Sequence, residues 1–217
     1  MILLIRHCSA KGQEPEAQLT EEGIKQALEL SKSLPEFFPP TRIITSPFKR
    51  AMESVVPLAR DFSLEIECDE LLRERFLCDN ENNFELVLSH LKKSFEDFDF
   101  KATFDGESNR DCQERALKFL KKLRSAYTPE QVIIIVSHGN LIASLLNLSS
   151  GNPFFSFDQM MSLSNPDIFL LKFSENDDEV LASHKRIWDP SVGLDVKTRV
   201  SARAISLDQS LSKTTLT

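Results

Sequence analysis

Two histidines and two arginines carry the most specific chemistry in this chain. His7 follows the run Ile2-Leu3-Leu4-Ile5-Arg6, and His138 follows Val132-Ile133-Ile134-Ile135-Val136-Ser137. Both runs are continuously apolar, the pattern of a strand buried on both faces. Each histidine therefore falls just past the C-terminal end of a strand, the edge where open α/β sheets bind ligands. If the two strands are neighbours, both imidazoles enter one cleft. Arg6 adds a fixed positive charge beside His7, and Arg50 adds another from the start of a helix. Two guanidiniums and two imidazoles around one point make an anion cage. The planar guanidinium fork offers a phosphate two parallel hydrogen bonds. A neutral imidazole nitrogen is nucleophilic near pH 7, where an amine would be protonated. Such a cage also spreads the charge of a phosphoryl group in flight, with no call for a metal or a cofactor.

A leaving alkoxide needs a proton. Glu74, in Leu71-Leu72-Arg73-Glu74-Arg75, follows a third strand and could reach the same edge. A partly buried, anion-rich site would keep that carboxyl protonated, ready to protonate the leaving group and then to activate water. Asp69 and Glu70 lie close by, so spacing alone does not single Glu74 out. Arg73 and Arg75 read as solvated charges, with Arg75 able to steer an anion. His90 and His184 sit in no motif and read as structural or surface groups.

The elements that must position these groups follow from periodicity. Ile2 to Ile5 is the first strand. Thr20 is an N-cap for a helix from Glu21 to about Leu34, with acids in its first turn. Arg42 to Thr45 is a second strand, and Ser46-Pro47 opens a helix running toward Arg60. Leu64 to Cys68 alternates as a third strand. Asn109 to Ala126 is a helix, Val132 to Val136 a strand, and Leu141 to Leu148 a helix. Ile168 to Phe173 and Val180 to His184 are two further strands, with a turn at Asn176-Asp177-Asp178. The alternation predicts an α/β fold, a three-layer sandwich around a mostly parallel central sheet. Between about Arg75 and Asp105 the sequence turns acidic and Phe-rich, which predicts a small cap inserted at 75–105. Its phenylalanines either pack as the cap's own core or line a pocket for the organic part of a substrate. Residues 1–190 would form one domain, and 191–217, rich in Ser, Thr and Lys, a poorly ordered C-terminal extension.

Composition narrows the function classes. With 26 basic and 33 acidic residues the formal charge is -7, which disfavours nucleic acid or an anionic membrane as partner. A few arginines in one cleft still suffice for a small anionic substrate. Cys8, Cys68, Cys78 and Cys112 show neither CxxC nor zinc-type spacing, so no metal site is expected and the thiols read as free. The apolar start is too short for a secretory signal or a membrane span, which predicts a cytoplasmic protein. Oligomeric state leaves no mark on the sequence.

The motifs, in order, are Arg6-His7 after an apolar strand, Leu19-Thr20 with Gly23 and Gln26-Ala27, and Ser46-Pro47 with Arg50-Ala51. Glu74 after Leu-Arg, Gly106-Glu107-Ser108 and Ser137-His138-Gly139 complete the series. The set resembles the histidine phosphatase, or phosphoglycerate mutase-like, superfamily in its phosphatase branch, over about Met1 to Phe173. The resemblance implies His7 as nucleophile, Arg6, Arg50 and His138 as phosphate ligands, and Glu74 as proton donor. Gln13 falls where the family often has an Asn that contacts the phosphate. Cys8 stands where the family usually has Gly, which implies tighter packing behind His7. It reads as a small buried filler, the alternative being an oxidation-sensitive thiol. The expected activity is metal-independent hydrolysis of a small-molecule phosphate monoester through a phosphohistidine. A phosphoglycerate mutase is the alternative within the family. A catalytically silent module binding a phospho-ligand or a protein is the alternative from another class.

Overall fold

The computed structural model describes residues 1–36, 38–77, 84–151, 154–176, 178–189 and 193–194. Among these residues seven strands form one sheet: β1 (Ile2–Arg6), β2 (Arg42–Thr45), β3 (Ile66–Cys68), β4 (Ile133–Ser137), β5 (Asp167–Phe173), β6 (Leu181–Asp189) and β7 (Gly193–Leu194). Their spatial order is β3-β2-β4-β1-β5-β6-β7. The four strands that carry the candidate site, β3, β2, β4 and β1, pair in parallel. β5, β6 and β7 extend the sheet antiparallel.

The apolar runs make both faces of the sheet. Ile2, Leu4, Ile133 and Ile135 enter one core, while Leu3, Ile5, Ile134 and Val136 enter the other. Period-two alternation in an all-apolar run thus feeds two layers at once. Helices α1 (Glu21–Ser33), α2 (Lys49–Glu53) and α3 (Val56–Phe62) close the second core. On the first lie α4 (Phe84–Glu96), α5 (Asn109–Ala126), α6 (Gly139–Leu146) and α7 (Phe157–Met161). The result is the expected α/β three-layer sandwich.

Local chemistry sets the element ends. The Thr20 hydroxyl accepts from Gly23 N at 2.9 Å, and Ser108 with Asp111 forms a reciprocal capping box at the start of α5. The helix expected from 46 toward 60 is two helices instead, with Val55 between them at ψ 0. Pro57 explains the break: its ring would clash with the carbonyl four residues back. Ser63, in the left-handed region at φ 53, ends α3, so β3 starts at Ile66 rather than Leu64. α6 begins two residues earlier than its apolar pattern suggests, directly after His138. Gly23 is fixed by close approach: a Cβ there would lie 2.0 Å from the Ser9 carbonyl oxygen. That contact seats α1 against the loop after His7.

Within the stretch expected as a cap, α4 packs against α7. Phe95 stacks edge-on to Phe157 and joins the first core, whereas Phe104 is fully exposed. Residues 78–83, the centre of the expected turn at Asp177, and most of the extension at 191–217 lie outside the described residues. The sheet itself runs past residue 190, since β7 pairs with β6. No described helix is long and apolar enough to cross a membrane.

Candidate active site

Parallel pairing puts the C-terminal ends of β1, β2, β3 and β4 on one edge. The register Arg6 to Ser137 places the two residues after these strands side by side, and the rings of His7 and His138 lie 5.0 Å apart. The ladder continues beyond the strands: His7 N donates to Ser137 O at 3.0 Å and Ser46 N to Val136 O at 2.9 Å. His7 and Ser46 are thus held by backbone bonds that continue the sheet.

His7 is 5% exposed. Its Nδ1 lies 2.7 Å from the Cys8 carbonyl. A carbonyl only accepts, so Nδ1 carries the proton and Nε2 keeps its lone pair. That lone pair accepts from Arg50 Nε at 3.2 Å. Burial pushes the His7 imidazole down to about 3. The Cys8 carbonyl pulls the other way, and Arg50 and Arg6 add to the fall. The ring is therefore neutral at physiological pH.

Arg50 is fully buried. Besides His7 it holds the carbonyls of Gln13 and Glu14, through Nη1 at 2.8 and 2.9 Å. Arg6 donates to the Leu163 carbonyl, and its Nε is buried with no hydrogen-bond partner. Burial lowers the Arg6 guanidinium from its ordinary value, against the pull of Glu74 and Asp167. His138 Nε2 is 2.7 Å from Ser46 Oγ, and its Nδ1 is buried with no partner. Burial first, then electrostatic coupling to the His7 ring and the positive charges of Arg50 and Arg6, drive the His138 imidazole well below its ordinary value. Glu74 reaches the same edge at the head of α6. Its Oε1 accepts from Arg75 N at 2.8 Å and Leu141 N at 3.2 Å, and its Oε2 from Asn140 N at 3.3 Å.

The model of the histidine phosphatase superfamily (branch 1) matches residues 2–185. The chain belongs to this superfamily. Among solved structures, one titled mycobacterial hydrolase 2 superposes with TM-score 0.66 at 21% identity, over 94% of this chain and 96% of that one. The mycobacterial glucosyl-3-phosphoglycerate phosphatase gives 0.65 at 20%, over 85% and 95%. The phosphoserine phosphatase of Entamoeba histolytica with 3-phosphoglyceric acid gives 0.62 at 22%, over 85% and 95%. At such identities the likeness is one of fold. No curated protein matches by sequence. Membership of this superfamily places the histidine phosphatase among the phosphoric monoester hydrolases.

Arg6, His7, Arg50, His138 and Glu74, separated by up to 132 positions in the chain, converge on one sheet edge of this histidine phosphatase. Gln13 reaches it differently: its side chain is exposed, and its carbonyl is what holds Arg50. Cys8 is fully buried, and burial pushes its thiol up to about 12, which agrees with a filler and not with an activated thiol. Arg73 and Arg75 are not solvated charges. Arg73 forks onto Glu107 at 2.8 and 2.9 Å, and Arg75, 4% exposed, donates to Ser94 and Asn109. Arg75 turns inward between α4 and α5, where a cation must find acceptors, and Arg73, one-third exposed, is held by the fork to Glu107. His184 packs with Phe155 and Phe169, and His90 with Phe100, as structural groups do. Among the described residues no group of three or more His, Cys, Asp or Glu is placed to hold a metal.

Three contributors escaped the sequence reading. Ser46 holds His138, and the Ser-Pro pair quoted above was its available signal. Asn165 Nδ2 donates to the His7 carbonyl at 2.6 Å, and the Leu163 carbonyl holds Arg6. Nothing in the local sequence marks either one, because antiparallel β5 brings them in from the far end of the domain.

Proposed function

We propose that the protein is a metal-independent phosphomonoesterase that acts on a small phosphorylated metabolite through a phosphohistidine at His7. The observation that carries this reading is the fixed tautomer of His7. Its proton is committed to the Cys8 carbonyl, so the Nε2 lone pair faces Arg50 among buried cationic donors. Arg6 and Arg50 bind the phosphate oxygens, and His138 joins them. Nε2 attacks phosphorus, and the ester oxygen departs with the bonding pair, taking the proton of Glu74. The Nδ1–H bond to Cys8 persists and stabilises the phosphorylated ring. Water then attacks phosphorus while Glu74 takes its proton, and the P–N electron pair returns to Nε2 as phosphate leaves. The guanidiniums supply the positive charge that the transferring group needs. The solved relatives named for phosphoserine and glucosyl-3-phosphoglycerate support a small phosphorylated substrate. Residues 75–105 would then act as the cap that selects it, on a domain whose sheet extends to β7.

The test is hydrolysis of a chromogenic phosphate monoester in EDTA by wild type and His7→Ala, with an alkaline quench to trap labelled enzyme. Expected is turnover by wild type, unchanged by EDTA, a base-stable and acid-labile phosphoenzyme, and neither in the variant. Failure of wild type on a broad panel of monoesters would overturn the reading, and loss of turnover in EDTA would overturn the metal-free mechanism.

A further inference from the structure

Glu74 stands on a stretch of irregular backbone, just past the single 3-10 turn Glu70–Leu72. A proton donor must be placed to within a fraction of an ångström, and a loop does not do that unaided. Glu107, just before α5, makes up the difference. Its Oε1 accepts from Arg73 Nη2 at 2.8 Å and Arg115 Nε at 3.0 Å. Its Oε2 accepts from Arg73 Nη1 at 2.9 Å, Arg115 Nη2 at 3.0 Å and the backbone Phe76 N at 3.0 Å. Its own N–H donates to the Phe76 carbonyl at 2.7 Å. One carboxylate therefore grips the chain one residue before Glu74 and two residues after it.

Arg115 completes the clamp from α5. Its Nη1 donates to the carbonyls of Leu71 at 2.9 Å and Arg73 at 2.8 Å. The Glu107 side chain is 15% exposed and that of Arg115 10%. Paired, forked bonds between ions in such surroundings are short, directional and resistant to displacement by water. Burial pushes the Glu107 carboxyl up, but the Arg115, Phe76 and Arg73 contacts outweigh it and leave the group below its ordinary value.

We propose that Glu107 is the positioning residue of the proton donor: by clamping Arg73 and Phe76 it fixes where the Glu74 carboxyl sits relative to His7. This rests on the reading of Glu74 as proton donor. It differs from a purely structural role in one consequence. A misplaced acid matters for a poor leaving group, which needs the proton, and little for a good one, which does not.

The experiment measures kcat/KM, which covers the steps through loss of the leaving group, for aryl and alkyl phosphates of graded leaving-group pKa. Wild type, Glu74→Gln, Glu107→Gln and Arg73→Met are compared after a check of fold by circular dichroism. Gln is a stringent replacement, because its NH2 would face guanidinium donors. Expected for Glu107→Gln is a loss of about 100-fold on alkyl phosphates and under about 5-fold on 4-nitrophenyl phosphate. The dependence on leaving-group pKa steepens, as it does for Glu74→Gln. Arg73→Met, which removes only one of the two forks at a one-third-exposed side chain, shows the same steepening at about a tenth of that loss, and it answers the question if Glu107→Gln does not fold. If Glu74→Gln steepens the dependence while the clamp variants lose all substrates equally, the clamp is structural and the proposal is overturned. If Glu74→Gln itself leaves the slope unchanged, the proton-donor reading fails and the clamp proposal falls with it.

Discussion

Burial of His7 makes a prediction that can be worked through quantitatively. The folded imidazole titrates near 3 because it is taken out of water, while in the unfolded chain it titrates near its ordinary 6.5. At pH 5 an ordinary histidine is protonated about 30 to 1, whereas His7 stays neutral. Lowering pH from 7 to 5 should therefore leave His7 neutral, where an unshifted histidine would lose about 25-fold of its neutral form. The same shift has a thermodynamic counterpart. Between the two pKa values the unfolded state binds the extra proton, so stability falls as pH falls from 6.5 toward 3. At pH 5 the loss from His7 alone is about 2 kcal/mol. His138 is lowered for the same reason and adds to it in the same direction. The Glu107 carboxylate, held below its ordinary value, contributes stability above that value and loses it as pH falls through its lower folded pKa. The assay is NMR of histidine-labelled protein from pH 7.5 to 4.5, assigned with His7→Ala, alongside urea unfolding at pH 7 and pH 5. The His7 ring signals should not move, and the midpoint should drop without a change in slope. A His7 titration centred between 6 and 7 would refute the reasoning, whatever the activity does.

Three shorter tests bear on the rest of the site. Arg50→Lys keeps the charge but cannot serve His7 and two carbonyls at once. Steady-state kinetics should record a loss in kcat/KM of about 100-fold or more, and thermal unfolding a loss of about 1–3 kcal/mol. Gly23→Ala drives a methyl into the Ser9 carbonyl; a stability loss of about 1–3 kcal/mol is expected, with lower activity because Ser9 closes the loop after His7. Peroxide should inactivate wild type and Cys8→Ala at the same rate, since the buried thiol yields almost no thiolate; selective protection in the variant would contradict its role as filler.

The strands were legible because a run such as Ile133-Ile134-Ile135-Val136 has one stable home, a strand covered on both faces. Once those strands were placed, His7 and His138 had to emerge at their ends. Arg50 was legible from its motif, and the Ser46 contact was within reach of the same motif. The environment of Arg73 and Arg75 was not legible. Charged residues without a motif read as solvated, and only the packing of α4 and α5 around Arg75 and the pairing of Arg73 with Glu107 reveal their partners. Asn165 and the Leu163 carbonyl were beyond reach for a different reason. They act across more than 150 positions in sequence, through an antiparallel strand whose partner is not encoded locally.

The guanidiniums of buried Arg50 and partly buried Arg6 share one sheet edge and would repel each other without compensation, and the way they are compensated bears on how the site works. Arg50 donates to His7 and to two backbone carbonyls, neutral acceptors that do not cancel its charge. Arg6 bonds a third carbonyl and feels the carboxylates of Glu74 and Asp167, the latter itself paired with Arg186. Backbone dipoles thus help to hold both guanidiniums at this edge, and their positive charge attracts an incoming phosphate. On the proposed mechanism that phosphate meets His7, whose Nε2 lone pair is engaged by Arg50 in a neutral-acceptor bond of 3.2 Å. A charged phosphate oxygen is the stronger acceptor, so it draws the guanidinium toward itself and releases Nε2. On the proposed mechanism, one arginine therefore both binds the substrate and unmasks the nucleophile. A lysine at position 50 would separate those two acts.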